Sequence, residues 1–100
     1  MVISEKEKET LIKIISTTIS GKLKIFLYGS RSRGKTNDGD IDILILSEFP
    51  VPNETIRKIK IQFSDLFPEA KLDIVVNTFS KKTAFVKLIE DTAILLWERA

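Results

Sequence analysis

Two aspartates stand one residue apart at Asp40 and Asp42, immediately before an apolar run over residues 43–46. Asp is depleted in β-strands, yet the apolar run predicts that these two lie at the head of one. Side chains alternate along a strand, so both carboxylates share a face and lie about 6–7 Å apart along it. At an effective dielectric of about 20, like charges about 5 Å apart repel by roughly 3 kcal/mol. A divalent cation that prefers oxygen ligands is the simplest group to offset this repulsion, and a solvated turn entering a strand is the alternative.

A glycine-bearing loop precedes the two aspartates and carries groups suited to phosphate. The apolar run Leu23–Tyr28 ends in Gly29 and Ser30, and the loop then holds Arg31, Arg33 and Lys35. A strand that ends in Gly-Ser leaves backbone N–H groups and one hydroxyl near a common point, which suits phosphate oxygens. Gly-Ser alone is a weak signal, because most such pairs mark ordinary turns. Together, the Gly-Ser turn and the aspartate pair predict a site with two halves. The turn would hold phosphate, and the aspartates would hold the metal that bridges phosphate oxygens.

The elements that must position these groups begin with a helix and two strands. Ser4 and Glu7 form a capping box for a first helix, which Gly21 stops. Leu23–Tyr28 predicts the first strand and Ile41–Leu46 the second. The connection between them, residues 29–39, is short for a parallel crossover, so the two strands are expected to be antiparallel. Ser30 and Asp40 then lie at the same end of the sheet.

The second half of the chain predicts a strand–helix–strand unit. Asn53 is expected to cap a helix from Glu54 to about Phe67, ended by Pro68. Its inward stripe is Ile56, Ile59, Phe63, Leu66 and Phe67, while Ile61 falls off that stripe. The third strand, Lys71–Val76, should run parallel to the second. It is interrupted by Asp73, which is either a cap or edge residue or a third carboxylate beside the other two.

The end of the chain predicts one more helix and a short strand. The helix is expected from about Ser80 to Asp91, with Ala84, Phe85, Leu88 and Ile89 toward the core. The last strand is expected over Ala93–Trp97.

Composition limits the chemistry that these elements can carry. The chain has 100 residues, 43% hydrophobic and 30% charged, with a net charge of +2, which is typical of one soluble domain. There is no cysteine and no histidine, which excludes disulfides, His-based zinc sites and Ser–His catalysis. The balanced charge does not favour direct nucleic-acid binding. No apolar stretch reaches membrane-spanning length, so no membrane partner is expected and the cytoplasm is the expected location.

Gly29-Ser30, nine intervening residues and Asp40-x-Asp42 resemble the signature of the DNA-polymerase-beta-like nucleotidyltransferase superfamily. The string GSRSRG…GDIDILI is similar to its small stand-alone members, the minimal nucleotidyltransferase (MNT) domains. It departs from them in Ser32, where Ala is frequent, and in a loop one residue shorter than in many of them. The resemblance covers nearly the whole chain and implies a single domain over residues 1–100. The implied fold class is α/β (α+β), with a mixed four-stranded sheet packed by about three helices.

The resemblance also implies a reaction, in which a nucleotidyl group passes from a nucleoside triphosphate to a hydroxyl. Asp40, Asp42 and Asp73 would bind two Mg²⁺ ions, and Asp73 would accept the proton of the attacking hydroxyl. The β and γ phosphates would be held by Gly29, Ser30 and Arg33, with help from Arg31 or Lys35. ATP is the expected donor.

MNT proteins are often antitoxins paired with a helical HEPN ribonuclease toxin, and some adenylylate a tyrosine of that toxin. The resemblance therefore implies a protein adenylyltransferase antitoxin with a HEPN-type partner. One alternative is a small-molecule nucleotidyltransferase that modifies an aminoglycoside-like acceptor after forming a homo-oligomer. Another is a nucleotide-binding or purely steric antitoxin whose carboxylates are relics.

Overall fold

A four-stranded mixed sheet organises the computed structural model, which describes residues 3–29 and 40–100. Its elements in chain order are α1 (Glu5–Thr18), β1 (Leu23–Tyr28), β2 (Ile41–Ser47), α2 (Asn53–Leu66), β3 (Leu72–Thr78), α3 (Ala84–Glu90) and β4 (Ile94–Arg99). The strand order is β3-β2-β1-β4. β1 is antiparallel to both β2 and β4, and β2 is parallel to β3. Both predicted strand orientations are confirmed, and so is the mixed sheet with three helices.

The main core lies on the face of the sheet that α1 and α2 cover. The inward residues of β2 on this face are Ile41, Ile43 and Ile45, and they pack with Leu11, Ile15, Ile59 and Phe63 of the two helices. A smaller cluster on the opposite face joins Phe26, Leu44, Leu46 and Val86. Each fully buried Leu, Ile or Phe side chain contributes about 1.5–3 kcal/mol to folding. Among the described elements, the short helix α3 is the helix that packs on this second face, through Val86.

Helix α1 begins at the predicted capping box and ends against β4. The Ser4 hydroxyl accepts from the Glu7 N–H, and the Glu7 carboxylate accepts from the Ser4 N–H, both at 3.0 Å. At the other end, the Arg99 guanidinium donates to the carbonyls of Ser16, Ile19 and Gly21, over 2.6–3.0 Å. The last turn of α1 contains no basic residue of its own. Arg99 therefore supplies the positive charge that a helix C-terminus favours.

Helix α2 differs from the prediction at both ends. Pro52 is the N-cap and makes no side-chain cap, so the predicted capping role of Asn53 is wrong. Pro fixes its own φ near the value a helix entry needs, and Asn53 becomes the first helical residue. Leu66 is 64% exposed rather than inward, because the helix ends there, one turn beyond its last buried residue, Phe63. The predicted exposure of Ile61 is confirmed at 53%.

Helix α3 is shorter than predicted and turned differently. It starts at Ala84 rather than near Ser80, because the Asn77 side-chain oxygen accepts from the Thr83 N–H at 2.8 Å and an isolated bridge joins Thr78 to Lys81. These contacts hold residues 78–83 in a turn. The later start buries Val86 and leaves Ala84, Phe85 and Leu88 exposed, so the predicted inward placement of these three is wrong. Within residues 3–29 and 40–100, no helix has the length and apolar character needed to cross a bilayer.

Candidate active site

The predicted carboxylates come from neighbouring strands at one end of the sheet. Asp42 is the register partner of Tyr28 on β1 and of Asp73 on β3. Paired residues of adjacent strands point to the same face. Asp42 alternates with the Ile41, Ile43 and Ile45 side chains of the main core, so it lies on the opposite face, as predicted. Asp73 alternates in the same way with Leu72 and Ile74.

The carboxyl groups of Asp40 and Asp73 meet within hydrogen-bonding reach of each other. This hydrogen bond is the largest cause of a raised pKa of Asp73, followed by partial desolvation and by repulsion from the Asp40 charge. Lys60 and Lys71 act in the opposite direction. The pair is therefore a site of concentrated negative charge that attracts a cation.

The oxygen ligands fit Mg²⁺ by chemical type, since carboxylates are the hard donors that this ion prefers. The contact between Asp40 and Asp73 also fits, because such a pair is stabilised by an added positive charge. Among the residues that the structure describes, however, no three or more acidic side chains are grouped so that they could hold a metal ion. Two carboxylates are thus brought together, and Asp42 stands beside them without closing a three-ligand cluster.

Gly29 lies against Asp42 in a backbone conformation that requires glycine. Its φ is +79°, in the left-handed region that residues with a side chain rarely adopt. A Cβ at this position would collide with the Asp42 carboxylate oxygen. Glycine therefore allows the backbone at residue 29 to approach the second aspartate of the motif closely. This is the predicted adjacency of the glycine turn and the aspartates.

The remaining residues predicted to bind phosphate, Ser30, Arg31, Arg33 and Lys35, lie outside the described residues. Their predicted roles stay predictions.

Tyr28 joins the site although the sequence analysis did not select it. Its phenol has a raised pKa, first through burial and then through the negative charges of Asp42 and Asp73. Its ring packs edge-on against Phe85, with the ring centroids 6.0 Å apart. The signal was present in the sequence, because Tyr28 is the last residue of β1 and is placed opposite Asp42 by the antiparallel pairing.

A groove of about 330 Å³ opens beside the carboxylate pair, between α2 and the start of β3. Asp40 and Asp73 lie at the groove, together with Arg57, Lys60, Ile61, Ser64 and Lys71. None of the three cations was predicted: Arg57 and Lys60 approach the aspartates only through the packing of α2 beside β3, whereas Lys71 lies two residues before Asp73.

The domain is a small α+β fold with Asp40 and Asp42 at the start of β2, Asp73 on the neighbouring edge strand β3, and Gly29 beside Asp42. Comparison with known families identifies its class. The profile described as a nucleotidyltransferase domain matches residues 8–96. The chain therefore belongs to the nucleotidyltransferase domain family. No curated protein sequence matches it.

Solved structures confirm the fold. One is a tri-AMPylated HEPN toxin of Shewanella oneidensis in complex with MNT antitoxin, with a TM-score of 0.73 and 21% identity over 97% of this chain and 74% of that one. A second is a toxin–antitoxin complex, MntA–HpeT, in which two aspartates are replaced by glutamate; its TM-score is 0.74, at 17% identity over 92% and 73% of the two chains. A third is a toxin–antitoxin with AMP-PNP, with a TM-score of 0.71 and 21% identity over 92% and 73%. The chain thus has the expected polymerase-beta-like nucleotidyltransferase fold.

Proposed function

We propose that this domain is a Mg²⁺-dependent protein adenylyltransferase, an antitoxin that transfers AMP from ATP to a tyrosine hydroxyl of a cognate HEPN-type toxin. The observation that carries the proposal is the meeting of Asp40 and Asp73 at the end of the sheet, with Asp42 between the glycine turn and β3. Family membership supports the transfer chemistry. The structural neighbours support the donor and the acceptor, since they include a toxin–antitoxin with AMP-PNP and an AMPylated HEPN toxin with its MNT antitoxin.

The carboxylates would hold two Mg²⁺ ions, through Asp40, Asp42 and Asp73. When bound, the ions neutralise phosphate oxygens and favour the ionised form of the attacking hydroxyl. On the other side of Asp42, the Gly29 backbone and the Ser30 hydroxyl would hold the β and γ phosphates, with Arg33, Arg31 and Lys35 as the cations of the same loop.

Asp73 is suited to take up the proton of the acceptor. It is exposed, so an acceptor hydroxyl can reach it, and a carboxylate can take up the proton of a neighbouring hydroxyl. In the reaction, the tyrosine O–H bond breaks as its oxygen bonds to the α-phosphorus, and the bond from that phosphorus to pyrophosphate breaks. The proton passes to the Asp73 carboxylate and then to solvent.

Intact-mass spectrometry tests the proposal directly. The protein is incubated with the product of the adjacent reading frame, Mg²⁺ and each nucleoside triphosphate in turn. We expect that product to gain the mass of AMP with ATP only, and only when Mg²⁺ is present. Asp42→Asn should reduce the transfer at least about 100-fold, because it removes a charge required in the transition state, while complex formation persists.

The matched control is Asp65→Asn, which changes an exposed aspartate of α2 outside the groove and should leave transfer intact. Unchanged transfer by the Asp42→Asn variant would overturn the proposed role of the carboxylates. Full neutralisation of the toxin by that variant would instead establish a steric antitoxin.

A further inference from the structure

We infer that the groove between α2 and β3 binds the acceptor, and that it selects an acceptor hydroxyl flanked by acidic residues on a protein segment. This inference rests on the proposed function, because it assigns the second substrate of the same site.

The side chains that α2 presents to the groove form one continuous stripe. Arg57, Lys60, Ile61 and Ser64 are spaced i, i+3, i+4 and i+7, which places them on one helical face. The opposite stripe, with Ile59 and Phe63, is buried in the main core. The groove face thus combines two cations, one hydroxyl and an isoleucine that is 53% exposed. This mixture suits a peptide segment with acidic and apolar side chains.

Among residues 3–29 and 40–100, the salt bridges join Lys24 to Glu98, Lys58 to Glu54 and Lys82 to Glu90, and none of them uses Arg57, Lys60 or Lys71. Within the described part of the chain, these three positive charges share the groove with two carboxylates, those of Asp40 and Asp73. An acidic segment against the α2 stripe would neutralise the excess, and its hydroxyl would then face Asp73.

The direction of approach follows from the strand order. Gly29 directly follows β1, whereas Asp73 lies on β3, and β2 lies between these two strands. Gly29 and Asp73 are therefore about two strand spacings of 4.8 Å apart across the sheet. In-line transfer places the attacking and leaving oxygens on opposite sides of the phosphorus. If pyrophosphate leaves on the Gly29 side, the acceptor must approach from the β3 side, which is where the groove opens.

The length of the groove face sets the size of the bound segment. Residues 57–64 span about 10 Å of helix at 1.5 Å per residue. An extended peptide rises about 3.3 Å per residue, so about three residues of the acceptor would lie along the stripe. The groove would therefore contact the acidic residues that lie directly beside the accepting tyrosine.

The test uses three twelve-residue peptides with a central tyrosine flanked by glutamate, glutamine or lysine. Each is titrated into the full-length protein and followed by NMR amide shifts at low salt. We expect the glutamate peptide to bind at least about tenfold more tightly than the other two, with shifts confined to residues 57–64 and 71–73, and to weaken as salt is added. The double variant Arg57→Glu/Lys60→Glu should lose at least about tenfold in affinity for it.

Two further variants test whether the loss of affinity comes from the charges of the groove. Lys58→Glu reverses a charge on the same helix outside the groove and should bind the glutamate peptide as the parent protein does. Arg57→Gln/Lys60→Gln removes the charges without reversing them and should show a smaller loss. Equal binding of all three peptides, no binding of the glutamate peptide, or full affinity in either double variant would overturn the inference. Tighter binding of a twelve-nucleotide single-stranded RNA to the same residues would also overturn it.

Calorimetry of ATP binding with Mg²⁺, on the same proteins, separates this inference from the proposed function. Lys58→Glu, outside the groove, should bind ATP as the parent does. A parent protein that binds no ATP would contradict the proposed function, whereas the peptide titrations decide the groove independently.

Discussion

The carboxyl groups of Asp40 and Asp73 meet at one end of the sheet, although helix α2 separates them in the chain. The parallel register brings them together, since Asp73 lies beside Asp42 on the adjacent strand. Repulsion between two neighbouring carboxylates is relieved by an added positive charge, so this end of the sheet favours a bound cation.

The raised pKa of Asp73 predicts a pH-dependent stability. Its pKa lies above the ordinary 3.8, so the folded chain binds this proton more tightly than the unfolded chain does. Stability should therefore fall as pH rises from about 3.8 through the folded pKa, and stay lowered above it. Asp73→Asn should raise the urea midpoint of unfolding at pH 7 in the absence of Mg²⁺. The gain should disappear well below pH 3.8, where the parent carboxyl is also neutral.

Two comparisons check this assignment. Asp65→Asn, at an exposed position of α2, should not reproduce the gain at pH 7. Mg²⁺ should raise the midpoint of the parent more than that of the Asp73→Asn variant. A variant that is less stable than the parent at pH 7 would show that attraction from Lys60 and Lys71 outweighs repulsion within the acid pair.

Much of the sheet could be predicted because its signals are local. The span of β1 was predicted to the residue, and the short connection between β1 and β2 correctly predicted their antiparallel pairing. Strand alternation also predicted that Asp42 and Asp73 avoid the main core. These inferences need only the period of a strand and the length of a loop.

The wrong predictions concern features that depend on contacts outside the pattern of a single helix or strand. Helix α3 was predicted too early because the hydrogen bond from the Thr83 N–H to Asn77 is not visible in a helical pattern. Because of the same shift, Val86 is buried and Leu88, which was predicted to be buried, is exposed. The groove was not predicted because Arg57 and Lys60 approach the aspartates only through the packing of α2 beside β3.

Arg99 should be a major contributor to stability although it lies far from the site in the chain. Its guanidinium donates to the carbonyls of Ser16, Ile19 and Gly21 and so satisfies the end of α1 from β4. Hydrogen bonds from charged donors are worth about 1.5–3 kcal/mol each and are not additive, so Arg99→Ala should cost about 2–3 kcal/mol in the free energy of unfolding. The stability of Arg99→Lys should lie between that of the parent and that of Arg99→Ala, because one ammonium cannot replace all the donors of the planar guanidinium.

The control for Arg99 is Lys24→Ala on the neighbouring strand. Lys24 pairs with Glu98 at 3.9 Å, with both side chains well exposed, and its loss should cost no more than about 1 kcal/mol. Urea denaturation measures all three variants. Equal stability of Arg99→Ala and Lys24→Ala would show that water replaces the guanidinium at the end of α1 without loss.

Gly29 should be required for activity in a way that the other left-handed glycine, Gly21, is not. Gly29→Ala and Gly21→Ala both force a side chain into positive φ, at +79° and +84°, and each should lose about 1–2 kcal/mol of stability. At Gly29 the new Cβ also meets the Asp42 carboxylate, whereas at Gly21 it meets the flexible Glu48 side chain. Adenylyl transfer and ATP binding should therefore fall at least about tenfold in Gly29→Ala and stay near the parent level in Gly21→Ala, measured well below both melting temperatures. Equal activity of the two variants would mean that the turn after β1 tolerates displacement of Asp42, and that the close approach of Gly29 to this carboxylate serves the fold alone.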